Sequence, residues 1–479
     1  MGLKKNILFN STLTVSNYIF PLITFPYISR VLGVTNVGVC NFVDGIINYF
    51  VLFSMMGINF IGIREISKNK NDKRLLEKSF ANLFFLNTIF TLIMLIGLLF
   101  AVSMVAKLQE YKNLMYIGAV KLLFNLFLVE WFYKGIEEFK YITVRSIVVR
   151  VFYVASVFFF VHKKDDYMTY YILTTCVIMF NAFFNWSYLR QHIGFRFKDI
   201  SLNLYWKSFL VLGVYAILTS VYTSFNVVFL GFATNDTEVG FYTTATKIYS
   251  ILFSLFTAFS GVLFPHMSAL VAKGDFAEVK RIVSVSYSVL FLTTIPIIIY
   301  SVIFAPAIIL IIAGNGYEGA VVPMRIIMPL MLVIGIEQIL IMQLLMPLGK
   351  DKPVFINSMI GFIVGITLNI VLVPVYKSVG SSLVWLFSEC IVLFSANFFV
   401  QKYLRLSFPM KEFFSILIYF LPLVIICLVT PLFCSTIVSL IVAVLVGLVY
   451  VFVTQVYGPK NEYAQYVIEQ TKLLKGRFL

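Results

Sequence analysis

The chain has 479 residues, 60% of them hydrophobic and only 12% charged. A soluble domain carries about a quarter charged residues, so composition excludes a water-soluble protein and implies a polytopic membrane protein. The net charge of +15 would suit nucleic acid only if it were clustered on one folded face; it is dispersed, and no nucleic-acid partner is expected.

Runs of roughly 20 apolar residues can cross a bilayer. Fourteen are predicted, at 8–29, 40–63, 80–104, 114–133, 144–162, 167–189, 208–231, 239–265, 282–304, 321–343, 354–374, 380–400, 412–430 and 434–455. The expected fold class is an all-α polytopic membrane protein with about 14 transmembrane helices. The first run is too long for a signal-peptide core and flows into further spans.

Lysine and arginine orient these segments. Of the 37, the alternate loops that share a side with both termini hold 27, counting Arg145 at the edge of the fifth run with the loop before it, the opposite loops hold six, and four lie within spans. Both termini are therefore expected in the cytoplasm. The connections are short, and no GxxxxGK[ST] motif is present, so no built-in ATPase is expected. The cysteines are scattered without a CxxC pair, and the three histidines lie far apart, so catalytic chemistry is unsupported.

Polar residues recur at helical spacing inside several spans. The first carries Asn10, Thr14, Asn17, Pro21 and Thr24; the fifth carries Thr143, Ser146, Arg150 and Tyr153. The eighth carries Thr243, Lys247, Ser250, Ser254 and Thr257. Steps of three and four put each set on one helix face. Uncharged stripes of this kind also serve simple helix packing, whereas a lysine in one of them points to a cavity wall.

Nine ionisable residues sit in or at the edge of spans: Arg30, Asp44, Lys121, Glu130, Arg150, Lys247, Arg325, Glu337 and Glu389. Charge at bilayer depth costs at least about 2.5–3.5 kcal/mol per residue on insertion scales. Arg30 and Asp44 lie near the outer end, where they can pair with each other or reach the interface. Glu130 and Arg325 sit near span ends and can snorkel. Lys121, Arg150, Lys247, Glu337 and Glu389 are deeper, which favours a wet, charged path over an isolated structural pair. The basic bias suits an anionic cargo, with arginine the better fork for phosphate oxygens and lysine a point charge.

An internal repeat is visible six spans apart. Gly33-Val34-Thr35-Asn36-Val37-Gly38 rhymes with Thr234-Asn235-Asp236-Thr237-Glu238-Val239-Gly240. Such repeats share an orientation and imply two six-helix bundles related by an axis along the membrane normal.

Several segments resemble the polysaccharide and O-antigen lipid-linked oligosaccharide flippases, whose superfamily also contains multidrug exporters and lipid II flippases. They are Asn17-Tyr18…Pro21…Pro26-Tyr27-Ile28-Ser29-Arg30-Val31-Leu32-Gly33…Gly38, Gly57…Gly62-Ile63-Arg64-Glu65-Ile66 and Glu130-Trp131-Phe132-Tyr133-Lys134-Gly135 with its continuation to Tyr141. Gly240-Phe241-Tyr242…Ala245…Lys247, Pro347-Leu348-Gly349-Lys350 and Asn369…Leu372…Pro374…Gly380 follow in the family's order. The chain departs from some relatives at Lys247, where they have arginine, and at Ser381-Ser382, which leaves the geometry around the cargo's head group open.

The resemblance implies two pseudo-symmetric lobes, 1–200 and 201–405, with two further helices and a tail at 406–479. It also implies translocation of undecaprenyl-pyrophosphate-linked oligosaccharide from the cytoplasmic to the outer leaflet of the bacterial cytoplasmic membrane by alternating access. A polysaccharide polymerase and glycosyltransferases are the partners such a reading brings with it. On this reading Lys121, Arg150 and Lys247, with Arg30, Arg325 and Asn17, bind the cargo. Asp44, Glu337 and Glu389 bind a coupling cation (Na+ or H+) or balance charge; no metal and no other cofactor is expected. An ion-coupled drug exporter is the alternative within the superfamily, and a polytopic glycan polymerase or ligase is the enzyme alternative. The first would favour an acidic cavity, and the second a large external loop.

Overall fold

A helix rises 1.5 Å per residue and a bilayer core is about 30 Å thick, so helix length decides how often a segment can cross. The computed structural model describes residues 3–194, 205–404, 406–433 and 435–457 and is helical wherever those residues form regular structure. Two helices are far too long for one passage. α1, Leu3–Met55, has 53 residues and is interrupted at Gly33 (φ 75°, ψ 167°), a backbone geometry that only glycine adopts without strain. A second helix, Asp351–Leu404, has 54 residues and is interrupted at Lys377 (φ 51°, ψ −126°). There its two limbs touch, since a Cβ on Gly380 would lie 2.5 Å from the Leu372 carbonyl oxygen.

Between these long helices lie α2 (Ile58–Asn69), α3 (Lys73–Met104), α4 (Ala106–Glu110), α5 (Lys112–Asn125), α6 (Glu130–Gly135), α7 (Phe139–Phe160) and α8 (Tyr167–Leu189). The chain continues through α9 (Trp206–Ala233), α10 (Asp236–Lys273), α11 (Phe276–Ile303), α12 (Ala305–Ile312), α13 (Val321–Ile327) and α14 (Leu330–Gln338). A π-helical stretch, Ile339–Leu345, separates α14 from the second long helix, which is α15; α16 (Met410–Tyr419), α17 (Leu421–Val429) and α18 (Thr436–Tyr457) follow. The expected boundary at residue 200, Cys434 and the tail beyond 457 lie outside the described residues.

By length and composition, nine helices among the described residues can cross a membrane, or ten when the bent pair 236–254 and 259–273 counts as one span. The sequence predicts more for two reasons. α1 and α15 each hold two of the predicted segments, and 208–231 and 434–455 contribute only shorter apolar helices, Phe209–Leu218, Ser224–Ala233 and Ile437–Val451.

The second limb of α1 crosses α10 at its start, and small residues set how close they come. A Cβ on Gly38 would lie 1.8 Å from the Asp236 carbonyl oxygen, and one on Gly240 would lie 2.3 Å from that of Val34. The two repeat glycines therefore pack backbone to backbone, as small residues do where membrane helices approach closely. Hydrogen bonds flank the crossing: the Thr35 and Thr237 hydroxyls are 2.9 Å apart, and Asn41 Nδ2 donates to Thr243 Oγ1 at 3.2 Å. α10 is fixed at this end by Asn235, whose side chain caps the Glu238 amide at 3.0 Å, with Asp236 and Glu238 complementing the helix dipole. Glu238 in turn accepts from the Ser378 amide and hydroxyl at 3.2 and 2.5 Å, tying α10 to the break in α15.

Because the atoms a new methyl would meet at the crossing are backbone, they cannot swing aside. Gly38→Ala and Gly240→Ala are each expected to lower stability by about 1–3 kcal/mol, the usual cost of overpacking, read as earlier thermal unfolding of the purified protein. Gly97→Ala, whose new methyl would meet nothing nearer than 3.7 Å, serves as the control. An unchanged melting curve for Gly38→Ala would count against the close crossing.

Candidate functional site

Directly beside the crossing lies a cavity of about 560 Å³, bounded by the second limb of α1, α9, α10 and Trp385 of α15. Its polar wall comes from Asn41, Asp44 and Asn48 on α1 and from Thr246, Lys247 and Ser250 on α10. The part of the α10 stripe that includes Thr243, Lys247 and Ser250 does line a cavity. Ser254 and Thr257 on the next turns bond back to their own helix at Ile251 and Phe253.

Charge inside this space is unequal. Asp44 is paired: Lys121 Nζ reaches Asp44 Oδ1 at 2.5 Å and Asn48 Oδ1 at 3.2 Å, while Asn48 Nδ2 donates to Asp44 Oδ2 at 3.0 Å. Tyr171 adds a long contact of 3.5 Å to the same carboxylate. The expected alternative, a pairing of Asp44 with Arg30, does not occur, because Lys121 of α5 comes to Asp44 from across the helix interface. Lys247 has no carboxylate within ion-pair distance among the described residues; its ammonium stands 4.7 Å above the Phe25 ring. An ammonium over an aromatic face gains about 0.5–2 kcal/mol, which helps to hold the charge while leaving its N–H donors available. The acid and two bases near the cavity thus sum to one positive charge, carried by Lys247.

A second group adjoins the cavity through Trp385. Its indole Nε1 donates to Glu389 Oε1 at 3.0 Å, and its ring meets Tyr249, a cavity residue, edge to face at 5.1 Å. Glu389 and Glu337 are 2% and 9% exposed and are close neighbours inside the helical core. Nearby, Asn369 donates to Asn226 at 2.8 Å, and Asn226 to the Tyr242 hydroxyl at 3.3 Å.

The remaining expected residues are not brought to this cavity. Arg150 bonds Ser16 Oγ at 2.7 Å and Thr143 bonds the Phe9 carbonyl at 2.9 Å, so the stripe on α7 clasps the first limb of α1. Arg30 donates to the carbonyls of Pro26 and Ile311, closing the end of α12, and Arg325 donates to Val302 near the end of α11 at 3.0 Å. Both cations thus meet the negative ends of helices. Asn17 is exposed on α1. Glu130 is paired with Arg145 at 2.8 Å and Lys134 at 3.6 Å.

Arg145 was counted in sequence as a loop charge, yet its side chain is only 4% exposed. It also bonds Asn185 and Ser146, forming a buried network with Glu130. Its signal was its place beside the polar stripe of α7, next to Ser146.

The family model for "Polysaccharide biosynthesis protein" matches residues 3–271. The chain belongs to this family. Among curated proteins it is 24% identical to a protein of Escherichia coli (strain K12) named "Putative O-antigen transporter", over 84% of this chain and 97% of that one. Among solved structures, the lipid II flippase MurJ in an inward closed conformation superposes with a TM-score of 0.76 at 16% identity, covering 94% of this chain and 98% of MurJ. An inward-facing multidrug resistance MATE family transporter of the MOP superfamily gives a TM-score of 0.59 at 12% identity, covering 87% of this chain and 94% of that one. This family member is a multi-pass membrane protein that shares its fold with these solved structures, and its curated relatives are named as O-antigen transporters.

Proposed function

We propose that this chain is a flippase that moves undecaprenyl-pyrophosphate-linked oligosaccharide repeat units across the bacterial cytoplasmic membrane for O-antigen or capsule synthesis. The single observation that carries this reading is the ammonium of Lys247, without a carboxylate at ion-pair distance among the described residues, in a cavity whose polar wall otherwise holds amides, hydroxyls and the Lys121-paired Asp44. Desolvated N–H donors of this kind favour an anion, and a pyrophosphate presents several charged acceptors. The amides and hydroxyls suit sugar hydroxyls. A cationic drug would meet a net positive wall, which disfavours the drug-exporter alternative.

In this reading, residues 1–200 and 201–405 form two lobes that rock about the Gly38–Gly240 crossing, with 406–479 outside the repeat and both termini cytoplasmic. Contacts between positions 202 apart, such as Thr35 with Thr237, support the repeat. The polyprenyl tail stays in the bilayer while the pyrophosphate crosses through the cavity. Polymerase and glycosyltransferases act on either side of this step.

Coupling is assigned to Glu337 and Glu389. Of the two cations considered, a proton fits better: the Trp385 N–H points at Glu389, which suits a hydrogen-bonded carboxyl pair and opposes a metal ion. Trp385 then links the state of the pair to the cavity wall.

In cells lacking their own flippase, Lys247→Ala is expected to abolish surface glycan at normal membrane abundance, with Lys247→Arg partly active. The double variant Asp44→Asn/Lys121→Met, which removes an already neutral pair, should retain more activity than either single change. Full complementation by Lys247→Ala would sink the anion-cavity reading.

Glu389→Gln and Glu337→Gln are expected to leave cargo binding intact while making flipping in proteoliposomes insensitive to an imposed pH gradient. Retained sensitivity in both variants would remove the pair from the coupling step.

A further inference from the structure

Away from the central cavity, α7 and α8 part along their membrane face to leave an apolar crevice of about 410 Å³. Val148, Phe152, Ser156, Cys176, Phe180 and Phe184 are among its walls. Phe152 and Phe180 are 69% and 56% exposed, so the crevice opens outward onto the surface that faces lipid. It adjoins a wider cavity of about 710 Å³ at the start of α7, and Val148, Val149 and Phe184 border both.

The chemistry changes sharply along this path. The wider end is bordered by Glu138, Lys140, Tyr141, Arg145, Tyr188 and Gln191. Tyr141 and Tyr188 stack at 4.0 Å, and the Arg145 guanidinium lies 5.8 Å from the Tyr141 ring centre. Arg145 is held from behind by Glu130 and Asn185, yet its Nε is buried with no acceptor among the described residues. Lys140 is exposed and Glu138 half-buried at the same mouth, and neither is in an ion pair among the described residues.

We propose that this seam is a binding site for a phospholipid with a cationic amine headgroup. One acyl chain lies in the crevice between α7 and α8. The phosphate sits between Lys140 and Arg145, and the ammonium faces the Glu138 carboxylate. The alternation of charge selects this occupant: a purely anionic headgroup satisfies Lys140 but is repelled by Glu138. The pyrophosphate of the proposed cargo brings more negative charge than the mouth offers and has no amine. The site is thus separate from the Lys247 cavity and stands whether or not the flippase reading does.

The test is competitive lipid retention by the purified full-length protein, read by native mass spectrometry after stepwise delipidation. The probes are phosphatidylethanolamine and phosphatidylglycerol of matched chains. One phosphatidylethanolamine should be retained in preference by about five-fold, the upper worth of a single exposed charge pair. Glu138→Gln should bring the two lipids to parity, and Cys176→Trp, which fills the crevice, should lose both. Ser156→Trp replaces Cys176→Trp if the latter elutes as misfolded on size exclusion. Equal retention of the two lipids by the wild type, or a preference unchanged in Glu138→Gln, overturns the proposal.

Discussion

Where the second limb of α1 meets α10, two glycines let backbone touch backbone, and hydroxyl and amide side chains three residues to either side bond across the same line. In a membrane there is little hydrophobic force between helices, so close packing and interhelical hydrogen bonds must supply association. This crossing supplies both. It also sets what lies next to it: one and two turns further along α1 and α10 the helices carry Asp44, Asn48, Lys247 and Ser250, and these become the cavity wall. A bulkier pair at positions 38 and 240 would separate the walls and change the space between them.

The electrostatics of the cavity follow from which charges are already satisfied. Placing charge in a low-dielectric interior is expensive unless it is paired. Asp44 and Lys121 meet that requirement together, with Asn48 bridging them. Arg145 and Glu130 do so elsewhere, while Arg30 and Arg325 are used on helix carbonyls. Lys247 alone of the cavity charges has no carboxylate within ion-pair distance among the described residues and rests over the face of Phe25. The sign of the cavity is therefore set by one residue, and Trp385 places the Glu337–Glu389 pair within reach of it.

Much of this architecture could be read from residue order. Apolar runs predict the helices, and the rhyme around Gly38 and Gly240 marks two segments whose contact with each other residue order does not show. The stripe on α10 pointed correctly to a cavity wall because its lysine could not be explained by packing. Partnerships were another matter. Asp44 and Lys121 are 77 residues apart and Glu130 and Arg145 only 15, yet neither pairing follows from spacing, since each depends on how separate helices rotate against one another. Arg145 reads as a topology charge because it closes a short connection that carries Lys134 and Lys140. The fusion of predicted segments into α1 and α15 was equally hidden, since a single residue in positive φ turns the chain without any long loop.

The account rests on Lys247 meeting the phosphates of the cargo. Equilibrium binding of an undecaprenyl-pyrophosphate-linked oligosaccharide to the protein in nanodiscs tests this directly, with wild type and Lys247→Gln compared at two salt concentrations. Loss of one charge-assisted hydrogen bond predicts roughly ten-fold weaker binding, with a shallower salt dependence in the variant. Equal affinity and equal salt dependence in the two proteins would contradict it.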